Sequence, residues 1–195
     1  MSQVVRLMAN SVISERCLHA RGRVFRSALL YPVLREAPLS ILDVSQMGLC
    51  GECALPLSLA QQVHISLDDQ IFVTAEVRWL IGARCGLETE DPVSLAAEQA
   101  SAAVPSDGNR RAAPRSPVNL AATLVTCAPV FTGVVRHVSA EEMMIEAIGI
   151  PEGTRLLVKA RGYDFRMGRV RWSRSDMVGI AFEPAAAPAH GRNGE

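Results

Sequence analysis

The sequence predicts an all-β protein built from two domains of one design. Two observations carry this: short stretches of alternating apolar residues recur between turn signals, and the set of them is written twice. Ile71 to Leu80 shows the alternation best. Ile71, Val73, Ala75, Val77 and Trp79 fall on one face, while Thr74, Glu76 and Arg78 fall on the other. The repeat is legible in Val77-Arg78-Trp79, which returns as Val170-Arg171-Trp172. Each tryptophan is followed seven positions later by a glycine, Gly86 and Gly179, so both pairs share an offset of 93 residues. Ser45 and Ser139, each preceded by valine, are 94 apart. The repeated unit is about 90 residues, a size able to fold alone. Many short strands with regular turns argue an antiparallel barrel or sandwich rather than a parallel sheet.

In chain order, residues 1–20 read as a mixed N-terminal extension and 21–92 as the first domain. Ala28 to Arg35 is apolar but broken by Pro32, which suits an edge strand because proline cannot donate to a ladder. Leu39 to Val44 reads as a strand that runs into the turn-rich Asp43-Val-Ser-Gln-Met-Gly48. Leu49–Leu55, Val63–Leu67 and Ile71–Leu80 follow, and Gly86-Leu-Glu-Thr closes the set. Residues 93–109 break the rhythm. Alanine-rich Val93 to Ala103, after Asp91-Pro92, predicts a short connecting helix, and Pro105 to Asn109 a linker. The second domain, 110–184, carries strand patterns at Val118–Leu124, Val130–Val138, Met143–Ala147, Arg155–Ala160, Phe165–Trp172 and Val178–Phe182. The tail 185–195, rich in Ala, Pro and Gly, predicts disorder.

Composition removes several function classes. Twenty basic and 20 acidic side chains give a formal net charge of zero, so a chain-wide footprint for a nucleic acid polymer is missing and any anion site must be local. Aromatic residues are 5%, too few for a base-stacking platform. No apolar run approaches the ~20 residues that span a bilayer, and the N-terminus lacks a signal-peptide pattern. With five scattered cysteines, the expectation is a cytoplasmic protein with free thiols. Cys50-Gly-Glu-Cys53 has metal-like spacing but no second pair to complete a zinc site. The four histidines are dispersed, and Gly-x-Ser-x-Gly is absent. Nothing here points to an enzyme, a metal or a cofactor.

The strongest local signal is basic. Gly108 to Arg115 places Arg110, Arg111 and Arg115 within six residues, beside Pro114, and an earlier cluster holds Arg21, Arg23 and Arg26. Such a segment is either a solvated basic linker or an extended arm presenting guanidinium forks, which pair with phosphate oxygens and purine edges.

Taken together, these motifs resemble the PilZ family. Its members carry an Arg-x-x-x-Arg arm, often with an extra leading Arg. An antiparallel barrel follows, with Asp/Asn-x-Ser-x-x-Gly, a Val-x-Trp strand and a Gly-x-x-Phe-like last strand. The resemblance implies a six-stranded barrel in each copy, no catalysis, and binding of cyclic di-GMP in a bacterial signalling role. Carried over residue by residue, the first copy fits the barrel motif fully at Asp43, Ser45 and Gly48, but its arm is irregular. Arg21 and Arg26 fit, while Gly22 stands where the second arginine belongs. The second copy fits the arm fully at Arg110, Arg111 and Arg115, but its barrel motif keeps only Ser139, with His137 and Glu142 replacing the acid and the glycine.

Each copy therefore keeps one half of the implied ligand set, and three readings follow. The first copy binds the nucleotide by itself; or the site is composite, the arm of the second copy serving the barrel motif of the first; or neither binds, and the tandem is a nucleotide-independent adaptor for an unidentified protein partner.

Overall fold

The structure, a computed structural model, describes residues 22–90 and 116–184, with side chains from 26 and from 117 onward in the two stretches. The expected connecting helix, the linker, the N-terminal extension and the tail lie outside these residues. What is described is all-β: β1 (Gly22–Ser45), β2 (Gly48–Cys53), β3 (Gln62–Ser66), β4 (Val73–Ile81), β5 (Arg84–Thr89), β6 (Ser116–Cys127), β7 (Phe131–Val138), β8 (Glu142–Glu146), β9 (Arg155–Ala160), β10 (Arg166–Arg174) and β11 (Met177–Phe182). All pairings are antiparallel and join into one sheet.

Two circuits of pairing share β1. One runs β1, β2, β5, β4, β3, β6 and back to β1; the other runs β1, β7, β8, β11, β10, β9 and back. Each described strand thus has at least two hydrogen-bonded neighbours. Each circuit wraps its own core. Leu39, Ile41, Val63, Ile65, Val77 and Leu124 belong to the first. Ala28, Leu30, Ile145, Leu156, Val158 and Ile180 belong to the second. Sealing the junction is a third cluster of Tyr31, Phe72, Val125, Leu157, Phe165 and Met167.

β1 departs from expectation. The sequence reads Ala28 to Arg35, broken by Pro32, as an edge strand and Leu39 to Val44 as a separate one; the structure has one strand of 24 residues. Its first half pairs with β7 and β9, and its second half with β6 and β2. Pairing with β7 ends at Leu30↔Phe131 and pairing with β6 begins at Val33↔Cys127, so Pro32 sits at the handover. There it faces only β9, and its carbonyl accepts a hydrogen bond from Ala128 N at 2.8 Å. Pro38 lies one residue before the β2 ladder starts at Leu39↔Cys53. Each proline therefore stands where a neighbour is absent on one side, which is how a residue without N–H fits a long strand.

Set against the repeat, this pairing is an exchange. The first half of β1 corresponds in sequence to β6, and the second half to β7. Yet β6 pairs with β1 and β3 of the first circuit, and the first half of β1 pairs with β7 and β9 of the second. Each sequence copy donates its opening strand to the other.

Candidate ligand site

Asp43 and Ser45 lie at the end of β1, and Gly48 opens β2 across a tight turn. A bulge between Ile41 and Asp43 interrupts the register toward both β2 and β6 and re-aims the side chains that follow. The same bulge recurs between Val135 and His137 in the second circuit. Ser45 and Gly48 form the last pair of the β1–β2 ladder, and the Ser45 hydroxyl donates to the Gly48 carbonyl at 3.1 Å. Gly48 is explained by packing: a Cβ there would stand 2.6 Å from the backbone oxygen of Leu87 on β5. Backbone cannot step aside as a flexible side chain can. Gly48→Ala is therefore expected to lower stability by about 1–3 kcal/mol, read as a fall in the urea midpoint at unchanged slope.

A second bulge explains the tryptophan–glycine spacing. In β4–β5 it falls between Val77 and Trp79, and Trp79 then pairs with Gly86; in β10–β11 it falls between Val170 and Trp172, which pairs with Gly179. In both hairpins the indole lies over the glycine, where any Cβ would collide with it. Beside Trp79, Arg78 is held by Glu76 at 2.6 Å and by Glu88. The matching positions in the second copy are Arg169 and Ala181, and Arg171 makes no ion pair among the described residues. The second circuit has a cavity of about 510 Å³ here, lined by His137, Ser139, Glu142, Met144, Arg171 and Trp172 among others. Ser139 closes its own turn, its amide donating to the Glu142 carbonyl at 2.8 Å while its Oγ accepts from the Glu142 amide at 3.0 Å.

The arginines divide. Arg26 is on the first half of β1, paired with Val135 of the second circuit, and its Nη1 donates to the Arg161 carbonyl at 2.9 Å while the guanidinium stands 5.8 Å from the Tyr163 ring centre. Asp43, 17 positions further along the same strand, pairs instead with Cys50 of β2 and Pro117 of β6, so the two sit in the ladders of different circuits. Arg21, Arg110, Arg111 and Arg115 lie outside the described residues. Their neighbours in the chain do not: Ser116, which follows Arg115, pairs with Val44, and Pro117 pairs with Asp43. Reciprocally, Gly22 pairs with Val138 and Arg23 with His137. Each copy's chain thus enters its first strand beside the other copy's barrel motif.

Cys50 and Cys53 are buried on β2, and no group of three or more metal-ligating side chains converges among the described residues. Burial pushes the Cys85 thiol up to about 11 and that of Cys127 up to about 12, so neither is a ready nucleophile. No helix among the described residues is long and apolar enough to cross a membrane. Comparison with protein-family models, with curated proteins and with solved structures finds no match to this chain.

Proposed function

We propose that the protein is a non-enzymatic receptor for cyclic di-GMP that acts as a regulatory adaptor in bacterial signalling. In this reading the two circuits are PilZ-like six-stranded barrels sharing β1, and the nucleotide site is composite. The observation that supports it is the pairing of Ser116 with Val44 and of Pro117 with Asp43. It puts the chain leaving the intact arm next to the intact barrel motif. The imperfect arm correspondingly leads to the imperfect motif, at Gly22↔Val138 and Arg23↔His137. Arg110, Arg111 and Arg115 would supply guanidinium forks to phosphates and to guanine O6 and N7. Asp43 would accept from guanine N1 and N2, and Ser45 would add a hydroxyl. A nucleotide held between these groups ties the segment preceding β6 to the β1–β2 turn. Any shift in a partner surface is then limited by the ligand's differential affinity for the two arrangements.

Calorimetric titration with cyclic di-GMP tests this. A lost charge-assisted hydrogen bond costs roughly 1.5–3 kcal/mol, so Asp43→Ala and Arg111→Ala should each weaken binding by about 10- to 150-fold. Arg26→Ala should leave it within about twofold, because Arg26 serves the second circuit. Sensitivity to Arg26 without sensitivity to Arg111 would refute the composite site, and absence of heat with the unmutated protein would leave the nucleotide-independent adaptor.

A further inference from the structure

We propose that the cavity at the junction of the two circuits binds a small monoanionic amphiphile, an apolar body carrying one carboxylate. The site is separate from the nucleotide reading and does not depend on it. The cavity measures about 430 Å³ and is built by both halves, with Ile71 to Thr74 from the first circuit and Lys159 to Phe165 from the second. Leu29 of β1 forms part of its wall and is 37% exposed, unusual for leucine on a doubly paired strand. With Ile71, Phe72, Val73, Tyr163 and Phe165 it makes a mostly apolar enclosure in the size range of small-molecule sites, at the kind of interface where such sites form.

The repeat shows why the cavity lies here. In the first copy the loop after β3 is closed by Asp68, whose Oδ1 accepts from Gln70 N at 2.9 Å, from Ile71 N at 3.0 Å and from the Ser66 hydroxyl at 3.0 Å. The corresponding loop after β9 has Arg161 in place of Asp68 and Lys159 in place of Ser66. A guanidinium cannot accept hydrogen bonds, so this loop lacks the side-chain closure and is held by a backbone bond from Tyr163 N to the Ala160 carbonyl at 3.0 Å. It turns at Gly162, with φ +82, as the first loop turns at the matching Asp69, with φ +57, and is braced from outside by Arg26 on the Arg161 carbonyl. The substitution that removes the side-chain closure also reverses the charge at that position.

Three charged groups line the cavity. Lys159 is bridged to Glu90 at 2.9 Å, and Asp164 is already engaged. Arg161 forms no ion pair among the described residues. A guanidinium that lines a mostly apolar cavity without an ion-pair partner among the described residues favours a ligand with one negative end.

Octanoate is a suitable probe, titrated by calorimetry into the intact chain beside octylamine and 1-octanol. Saturable one-site binding is expected for octanoate, with the amine and the alcohol at least about tenfold weaker, and Arg161→Glu should weaken octanoate by about tenfold or more. Arg161→Lys, which keeps the charge, should retain most of the affinity, and Asp43→Ala all of it. An unchanged melting temperature of Arg161→Glu in the absence of octanoate would show that its loss is local. Failure of octanoate to saturate, equal affinity for octylamine, or undiminished binding by Arg161→Glu would each overturn the proposal.

Discussion

Cutting the chain between its halves should leave them bound to each other. With a protease site inserted between Pro105 and Ser106, the cleaved protein is expected to elute in gel filtration where the intact chain does. The reason is the exchanged strands. Ala28 and Leu30, both 0% exposed, sit in the core of the second circuit although they belong to the first copy, and Leu124, also 0%, sits in the first circuit although it belongs to the second copy. Pulling the halves apart strips each core of a strand; truncating one such leucine to alanine already costs about 2–5 kcal/mol, and a whole strand carries ladder hydrogen bonds as well. Separation therefore requires unfolding. The urea midpoint of the cut protein should rise with protein concentration, as for any bimolecular assembly, while that of the intact chain should not. Fragments that elute separately at micromolar concentration would show that the strands are not exchanged.

Acid should destabilise the junction through one side chain. His64 is 1% exposed, edge-on to Tyr31 and Phe165 at 4.9 and 5.0 Å between ring centres, with Nδ1 3.4 Å from the Thr74 hydroxyl. Burial, helped by the nearby Lys159 ammonium, pushes its pKa down to about 4 from the ordinary 6.5. The sign follows. Above the unfolded value both states hold a neutral ring and stability is unaffected. Between 6.5 and about 4 the unfolded chain takes up a proton that the folded one refuses, and stability falls as pH falls. The full effect is about 3 kcal/mol, reached near pH 4. His64→Leu, the residue that stands at the matching Leu157, should lose about 3 kcal/mol less than the natural protein between pH 7 and pH 4. Its stability at pH 7 should change by less than about 1.5 kcal/mol. Denaturant titrations of both proteins at the two pH values measure the difference; parallel losses would remove His64 as the cause.

Much of the fold was legible because strand periodicity and turn residues are local. Arg155–Ala160 was read with its observed ends, and Ile71 to Leu80 with its buried face at Val73, Ala75 and Val77. The seven-residue tryptophan–glycine spacing marked a real contact, since a bulged hairpin brings those two residues opposite each other. The exchange was not legible. Two copies of one strand present the same pattern to the same partners, so periodicity cannot say which copy a strand joins. That choice rests on whether residues 33–38 turn back or continue, and Pro32 suggests an interruption where the structure has a handover. Of the candidate site, Asp43, Ser45 and Gly48 are singled out by the resemblance, and the structure sets them about the β1–β2 turn. The anchoring of Arg26 by a carbonyl 135 residues away could not be. The sequence does carry a signal for Arg161: aligned on the repeat, it replaces an aspartate with an arginine in a loop of the same length.

The crossing of the opening strands has a consequence for how such a gene can change. In a symmetric pair of identical subunits every mutation strikes both sites at once. Fusion into one chain lifts that constraint, and swapped entry strands decide which mutations then travel together. If the composite site proposed above is the working one, its parts must be kept in opposite halves of the coding sequence, at the start of one repeat and the interior of the other.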